Sequence, residues 1–395
     1  MSAFATSPVR MGVVIGTRPE AIKLAPLVGE LRVSERMRPV VVSTGQHRGM
    51  VADLLAGFGI GVDIDLQASA GALTDVAGHA VAEIGRTIRD ERLDAVVVQG
   101  DTTAAFAGGL AAFYERVPVI HLEAGLRTDD RFSPYPEEVH RRMITSLSDL
   151  HLAPTPAAAN RLQDEGVPGD AVAMTGNTVV DALFQTVRRR SGFQEPKLGR
   201  IPEESRVMLV TAHRRESWGE GIRSIARAVI ELVDRHQDLL AVVPLHPNPR
   251  VRDEALDILA GVPRVIATGP LCYADMVGIL DRATLVVTDS GGVQEEACSL
   301  GTPTLVTRDT TERPEGLASG GLRLIGTDED RIVAEATRLL IDPAAYEELV
   351  CRTLPFGDGL AAGRAVSAIT EFLEARGLLS PVAAHRDVAS MAVPA

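Results

Sequence analysis

Short apolar runs rich in β-branched residues alternate with amphipathic stretches along nearly the whole chain, and this rhythm limits the fold more than any other feature. Met11-Gly12-Val13-Val14-Ile15 reads as a buried strand, followed by Gly16-Thr17-Arg18-Pro19-Glu20 and a helix to about Leu31. Pro39 to Val42, Ala95 to Val98 and Val117 to Leu122 read as further strands. Gly100-Asp101-Thr102-Thr103 opens an Ala-rich helix, and Gly125 to Pro136 reads as a loop. Strands that are apolar throughout, rather than at every second residue, are covered on both faces. With helices between them they predict a parallel sheet in an α/β protein.

The stretch from Arg188 to Pro202 breaks the rhythm with charge, Gly and Pro. It reads either as a linker or as a charged helix end running into a loop. Beyond it the pattern restarts with a strand over Arg206 to Thr211 and a helix over Glu220 to His236. In that helix Ile222, Ile225, Ala226, Val229, Leu232 and Val233 line one face. Leu240 to Leu245, Val265 to Thr268, Leu285 to Thr288 and Thr304 to Val306 supply more strands. A chain of 395 residues with 45% hydrophobic side chains can bury more than one core. Two Rossmann-like domains facing a cleft are therefore expected. Residues 1–185 would form the first and 186–356 the second. A helix within 357–378 would pack back on the first, and 379–395 would be a disordered tail.

Composition narrows the partners. Forty basic against 53 acidic residues give a formal charge of −13, the wrong sign for broad binding to nucleic acid or anionic membranes. No window approaches about 18 consecutive apolar residues, and Met1 to Pro8 lacks the features of a signal peptide. The three cysteines, Cys272, Cys298 and Cys351, are scattered and odd in number, so neither a disulfide framework nor a zinc motif is expected. A cytoplasmic protein is expected. Nine histidines without HxxxH or HxH spacing give no metal site. Gly16 does not begin a GxGxxG fingerprint and no Walker pattern occurs, so no cofactor is expected.

The motifs cluster at strand ends, where ligands of such sheets bind. Arg18 and Lys23, with the start of the helix between them, could hold a phosphate, or could be solvated side chains on a helix with Pro19 in its first turn. Asp101, Glu123 and Glu137 each follow a strand, an arrangement suited to acid and base work. Asp101 reads equally as a helix cap, and Glu137 and Glu138 as charges at a helix start. Glu123 interrupts an apolar strand end beside Gly125, which favours function. His213-Arg214-Arg215 could stabilise a leaving diphosphate or be a charged loop. Thr288-Asp289-Ser290-Gly291-Gly292-Val293-Gln294-Glu295-Glu296 joins a strand directly to a helix. Its glycines would let a diphosphate approach the backbone, Ser290 adds a hydroxyl, and Glu296 could accept from ribose hydroxyls. Arg313 lies in a later loop as a further phosphate partner.

Together these segments resemble the non-hydrolysing UDP-N-acetylglucosamine 2-epimerases. The likeness runs from about Gly12 to Arg364 through GTRPEAIKLAPL, TGQHR, GDTTA, HLEAGLRT, SPYPEE, TGNTVVDAL, HRRES, TDSGGVQEEA, RDTTERPE and PFGDG, in that order. The resemblance implies two domains of the glycosyltransferase-B type, usually in a homodimer. It implies interconversion of UDP-GlcNAc and UDP-ManNAc without NAD, by eliminating UDP to a 2-acetamidoglucal and adding it back. By resemblance, Asp101, Glu123 and Glu137 carry the proton transfers. Arg18, Lys23 and His213 hold the sugar nucleotide and offset charge on the departing UDP. Ser290, Gly291, Gly292 and Glu296 bind diphosphate and ribose, with Arg313 nearby. Gln46, His47, Arg141, Arg215, Leu271 and Met276 complete the substrate contacts.

Two positions depart from that family. Many members place a Gln, used to bind a second and activating UDP-GlcNAc, where this chain has Gly71 in Ala70-Gly71-Ala72-Leu73-Thr74. Allosteric activation by substrate is therefore not expected. An aromatic beside the uracil is replaced by Met276, whose soft apolar side chain can still pack against a base. The alternatives are a UDP-sugar-dependent glycosyltransferase of the same fold, a hydrolysing 2-epimerase that releases ManNAc, and a sugar-nucleotide-binding regulator without catalysis.

Overall fold

The computed structural model describes residues 7–46, 49–67, 71–128, 130–132, 134–189 and 192–380, with Arg215 described by its backbone alone. The first sheet contains β1 (Val9–Ile15), β2 (Met37–Ser43), β3 (Ile64–Asp65), β4 (Ala95–Gln99), β5 (Val119–Leu122), β6 (Leu150–Ala153) and β7 (Val172–Met174). Its strand order is β3-β2-β1-β4-β5-β6-β7, with parallel pairing throughout. The second sheet contains β8 (Arg206–Thr211), β9 (Leu239–Pro244), β10 (Val265–Thr268), β11 (Leu285–Thr288), β12 (Thr304–Val306) and β13 (Leu322–Leu324). Its order is β10-β9-β8-β11-β12-β13, again parallel.

Parallel pairing follows from the helices between the strands, because each crossover returns the chain to the same end of its sheet. The Arg18–Val33 helix buries Leu24, Leu27, Val28 and Leu31 on one face of the first sheet. The last helix, Ala361–Ala375, adds Ala365, Ile369 and Leu373 to that core. The Leu73–Asp90 and Thr103–Tyr114 helices cover the opposite face. In the second sheet Ile225, Val229, Leu232 and Val233 of the Glu220–Arg235 helix are buried, as their spacing predicts.

Strand order reverses once in each sheet, between β1 and β4 and between β8 and β11. At such a point the loops leaving neighbouring strands run to opposite faces and open a crevice. The loops at these crevices begin at Gly16, Gly100, Ala212 and Asp289, so the strand-end motifs gather there.

The chain crosses between the sheets twice, and the two crossings touch. The outgoing one carries the Thr178–Arg189 helix and the returning one precedes Ala361. Asn177 donates its backbone N–H to the Phe356 carbonyl (2.8 Å). The Asp181 carboxylate accepts from Ala361 N–H (3.1 Å) and Ala362 N–H (2.9 Å), capping the last helix from the other crossing.

Four strands escape the sequence pattern. β3 and β13 are very short, β6 is broken by His151, and β7 is an edge strand with exposed Met174. The expected tail also begins too early. Leu379 is buried in the first sheet's core and the Ser380 carbonyl accepts from Arg36, because an apolar side chain there has a core to enter. The rest of that segment, 381–395, lies outside the described residues. Among those described, no helix is long and apolar enough to cross a membrane.

Candidate functional site

On the first sheet's side, Glu20 draws the two crevice loops together. Its carboxylate accepts from Gly16 N–H (3.0 Å), Thr17 N–H (2.6 Å) and the Thr102 hydroxyl (2.6 Å). It thus completes a capping box for the Arg18–Val33 helix and ties the β1 loop to the β4 loop. Burial pushes its pKa up to about 7 despite these hydrogen bonds.

Glu123 follows β5 with a positive φ of 61°, a conformation that costs energy for a residue with a Cβ. Gly125, two residues on, has φ 92°, and a Cβ there would lie 2.3 Å from the Ala158 carbonyl oxygen, so only glycine fits. The turn aims the Glu123 carboxylate inward, where Lys23 Nζ sits 2.6 Å from both of its oxygens and Gln99 donates to one. Burial raises the Glu123 pKa, and Glu295 adds to that, while Lys23 opposes it. Burial works against the Lys23 ammonium too, yet the Glu123 and Glu295 carboxylates outweigh it and its pKa is raised. The pair is a cation held firmly charged beside a carboxylate with elevated proton affinity.

Asp101 follows Gly100, where a Cβ would lie 4.0 Å from the Glu123 carboxylate. Arg141 bonds Asp101 through Nε (2.7 Å) and Nη2 (2.6 Å) and reaches Glu138 at 3.1 Å. Of the two acids that begin the Glu137–Leu147 helix, the fully buried one is Glu138. It accepts from Thr128 N–H (2.8 Å) and Arg142 (2.9 Å) and braces the loop. Glu137 is half-buried and hydrogen-bonds to no described side chain.

On the second sheet's side Asp289 plays the bracing part. Its buried carboxylate accepts from His213 N–H (2.9 Å), Arg214 N–H (2.9 Å) and the Ser217 hydroxyl (3.1 Å), fixing the loop after β8 against the end of β11. The His213 ring lies 5.5 Å from that of His246, and burial lowers its pKa, which favours the neutral ring. Ser290 occupies the N-cap of the Gly291–Leu300 helix, yet its side chain makes no capping bond. Neither Gly291 nor Gly292 has a positive φ, and a Cβ on Gly292 would meet nothing within 4 Å. Their small size therefore serves the space above the helix N-terminus. The guanidinium groups of Arg313 and Arg214 border that space, 3.5 and 3.6 Å from a Cβ built on Gly291.

The two sides meet through charge. Arg313 binds the buried Glu295 carboxylate, and this pair faces Lys23 and Glu123 closely enough to shift their titration. Glu295 and Glu123 in turn raise the Arg313 pKa, overcoming the opposing effect of burial. Arg18 crosses from the first sheet to donate to the Leu271 carbonyl (3.1 Å). Glu296 accepts from the Tyr273 hydroxyl (3.0 Å), and burial raises its pKa to about 7. Beside Arg18 a cavity of about 650 Å³ opens between Leu54, Phe58, Leu271 and Tyr273.

Arg18, Lys23, Glu123, His213, Ser290, Gly291, Gly292, Glu296 and Arg313 thus surround one cleft, with Asp101 and Arg141 paired at its first-sheet wall. Met276 is half-buried against the cluster that contains Leu271 and Val293. Gln46 follows β2 with its amide oxygen near Gly16. His47 and the Arg215 side chain lie outside the described residues. Asp289, Glu295, Gln99 and Glu20 are not singled out by the sequence pattern, although Asp289 and Glu295 stand inside the Thr288–Glu296 motif; Arg214 belongs to the His213-Arg214-Arg215 run that the pattern does single out.

A family model described as UDP-N-acetylglucosamine 2-epimerase matches residues 29–370. The UDP-N-acetylglucosamine 2-epimerase of Bacillus subtilis is 44% identical over 355 residues, covering 89% of this chain and 93% of its own length. That of Escherichia coli is 43% identical over 367 residues, covering 90% and 97%. The crystal structure of the UDP-GlcNAc 2-epimerase from Neisseria meningitidis bound to UDP-GlcNAc superposes with a TM-score of 0.86 at 39% identity, over 92% of this chain and all of that one. A glycosyltransferase from Rickettsia africae, 13% identical with a TM-score of 0.61 over 93% of this chain and all of its own, shares the fold.

Proposed function

Because the chain belongs to the UDP-N-acetylglucosamine 2-epimerase family, we propose that it interconverts UDP-GlcNAc and UDP-ManNAc by eliminating UDP across C1 and C2 and adding it back. The observation that carries this reading is the Glu123–Lys23 pair of one sheet standing across the cleft from Arg313, Arg214 and a helix N-terminus of the other. Such a cleft can take a proton at one end while it stabilises a departing anion at the other.

C2–H is weakly acidic, so its proton leaves together with the UDP at C1. Glu123 is suited to hold that proton, because burial already raises its affinity for one. Lys23, engaged with both Glu123 oxygens, serves to aim that carboxylate rather than to grip phosphate. Asp101 and Glu137 supply the other proton transfers and stabilise positive charge near C1. The diphosphate lies over Gly291 and Gly292, held by helix N–H groups, Ser290, Arg214 and Arg313. His213, neutral, donates to the departing oxygen. Glu296 accepts from the ribose, and the base lies by Leu271, Met276 and Arg18. The 2-acetamidoglucal stays in the cleft until UDP returns, with the proton delivered to the opposite face. A cytoplasmic homodimer belongs to the same reading.

Incubation with UDP-GlcNAc in D2O, without NAD, metal or acceptor, tests it by NMR. UDP-ManNAc should appear with deuterium at C2. Free ManNAc as the main product would mean hydrolysis, and turnover only with an added acceptor would mean glycosyl transfer.

A further inference from the structure

Away from the cleft, two cysteines face each other in the second half of the chain. Cys298 lies on the Gly291–Leu300 helix and Cys351 on the segment leading to the returning crossing. Their Sγ atoms are 2.8 Å apart, although 53 residues separate them in sequence. Both are buried, at 0% and 7% exposure. The Ser319 hydroxyl lies 3.6 Å from Cys298 Sγ and 3.3 Å from Cys351 Sγ, and the Thr353 carbonyl is 3.0 Å from Cys351 Sγ. Gly321 makes the room, since a Cβ there would fall 2.6 Å from Cys351 Cβ and 3.0 Å from Cys298 Sγ. Apolar packing alone would not call for two thiols pointed at one another across a gap kept open by a glycine.

We propose that Cys298 and Cys351 form a redox site, which a peroxide converts from two thiols to an intramolecular disulfide and a dithiol reductant restores. A sulfur–sulfur bond is about 2.05 Å long, so little movement is needed to close the gap. Cys351 is the nucleophile. It is the more exposed of the two, and the Cys298 thiol donates to it and holds its pKa down against the opposing effect of burial. The Cys351 thiolate attacks one peroxide oxygen, the O–O bond breaks, and the departing hydroxide takes up the proton that Cys351 gave up and leaves as water, giving a sulfenic acid. Cys298 sulfur then attacks Cys351 sulfur, the S–O bond breaks, and the oxygen departs as water with the Cys298 proton. Two thiols and one peroxide become one disulfide and two waters. The closed loop would include Arg313, and would fix its position relative to the helix that begins at Gly291.

The test needs no substrate and so stands apart from the catalytic reading. The full chain is treated with hydrogen peroxide and then denatured for thiol titration, intact mass and non-reduced peptide mapping. Two of three thiols should disappear, the mass should fall by two hydrogens, and a Cys298–Cys351 cross-linked peptide should appear. Tm should rise by several degrees, as expected when a long loop is closed, and dithiothreitol should reverse all four changes. Gly321→Ala, which forces the sulfurs apart without removing either, should slow the oxidation at least tenfold. Three titratable thiols after treatment, sulfinic or sulfonic products in place of the cross-link, or a bridge to Cys272 would each overturn the proposal. These readouts on the unaltered chain hold even if Gly321→Ala does not fold.

Discussion

Glu296 and Glu20 stand on opposite sides of the cleft, and burial has carried both carboxyls from 4.5 to about 7. Both titrate near 4.5 when the chain unfolds, so between 4.5 and 7 the folded form binds more protons than the unfolded one. Their contribution to stability is complete below about pH 4.5 and is lost as pH rises through 7, a change of up to about 3 kcal/mol for each. Urea melts at pH 5 and pH 8 should show this loss, and Glu296→Gln should flatten the slope while keeping the acceptor for Tyr273. Equal slopes in parent and variant would remove Glu296 from the account. Glu123 carries a different prediction. Glu123→Gln should lower both UDP-ManNAc formation and deuterium entry at C2 by about 10²- to 10⁴-fold, with UDP binding by calorimetry little changed. Retained exchange at C2 would move the proton transfer to Asp101 or Glu137.

At the scale of elements, each sheet presents a loop tied down by a buried carboxylate at the point where strand order reverses. Asp289 holds two consecutive backbone N–H groups of the loop after β8 together with Ser217. Asparagine would turn an amide N–H toward those donors and leave one of them buried and unmatched. Asp289→Asn should therefore cost about 1–3 kcal/mol in a denaturant melt and weaken UDP binding several-fold through the displaced Arg214. A variant with full stability and unchanged UDP affinity would show that the loop holds itself. Apolar runs such as Val13 to Ile15 and Val96 to Val98 made the main strands legible, because burial on both faces leaves no room for polar residues. The short edge strands were not legible, since two or three residues carry no period. Asp101, Glu123 and Arg313 could be picked out by their strand-end or loop positions. Asp289 and Glu295 could not be told from their neighbours, because their roles arise from contacts between segments tens of residues apart. Ser290 shows the same limit from the other direction: its position is that of a cap, yet its hydroxyl caps nothing.

For the whole molecule, the cleft depends on two sheets that approach through Lys23–Glu123 and Glu295–Arg313, and on whether a second nucleotide sugar is needed to bring them there. Gly71, with φ 147°, lies against the Asp75 side chain and has no side-chain amide to offer such an activator. Initial rates against UDP-GlcNAc should follow a hyperbola, and a sigmoidal curve would restore substrate activation. Light scattering should give a particle of twice the chain mass, and a particle of one chain mass would exclude the homodimer.

The returning crossing also sets an order of events during synthesis. The first sheet is the first to leave the ribosome, but Ala365, Ile369, Leu373 and Leu379 complete its core. The second sheet, Arg206 to Leu324, lies wholly within the intervening stretch. It can close while the older half still waits, one apolar face covered only in part by the Arg18–Val33 helix, for the returning residues that complete it.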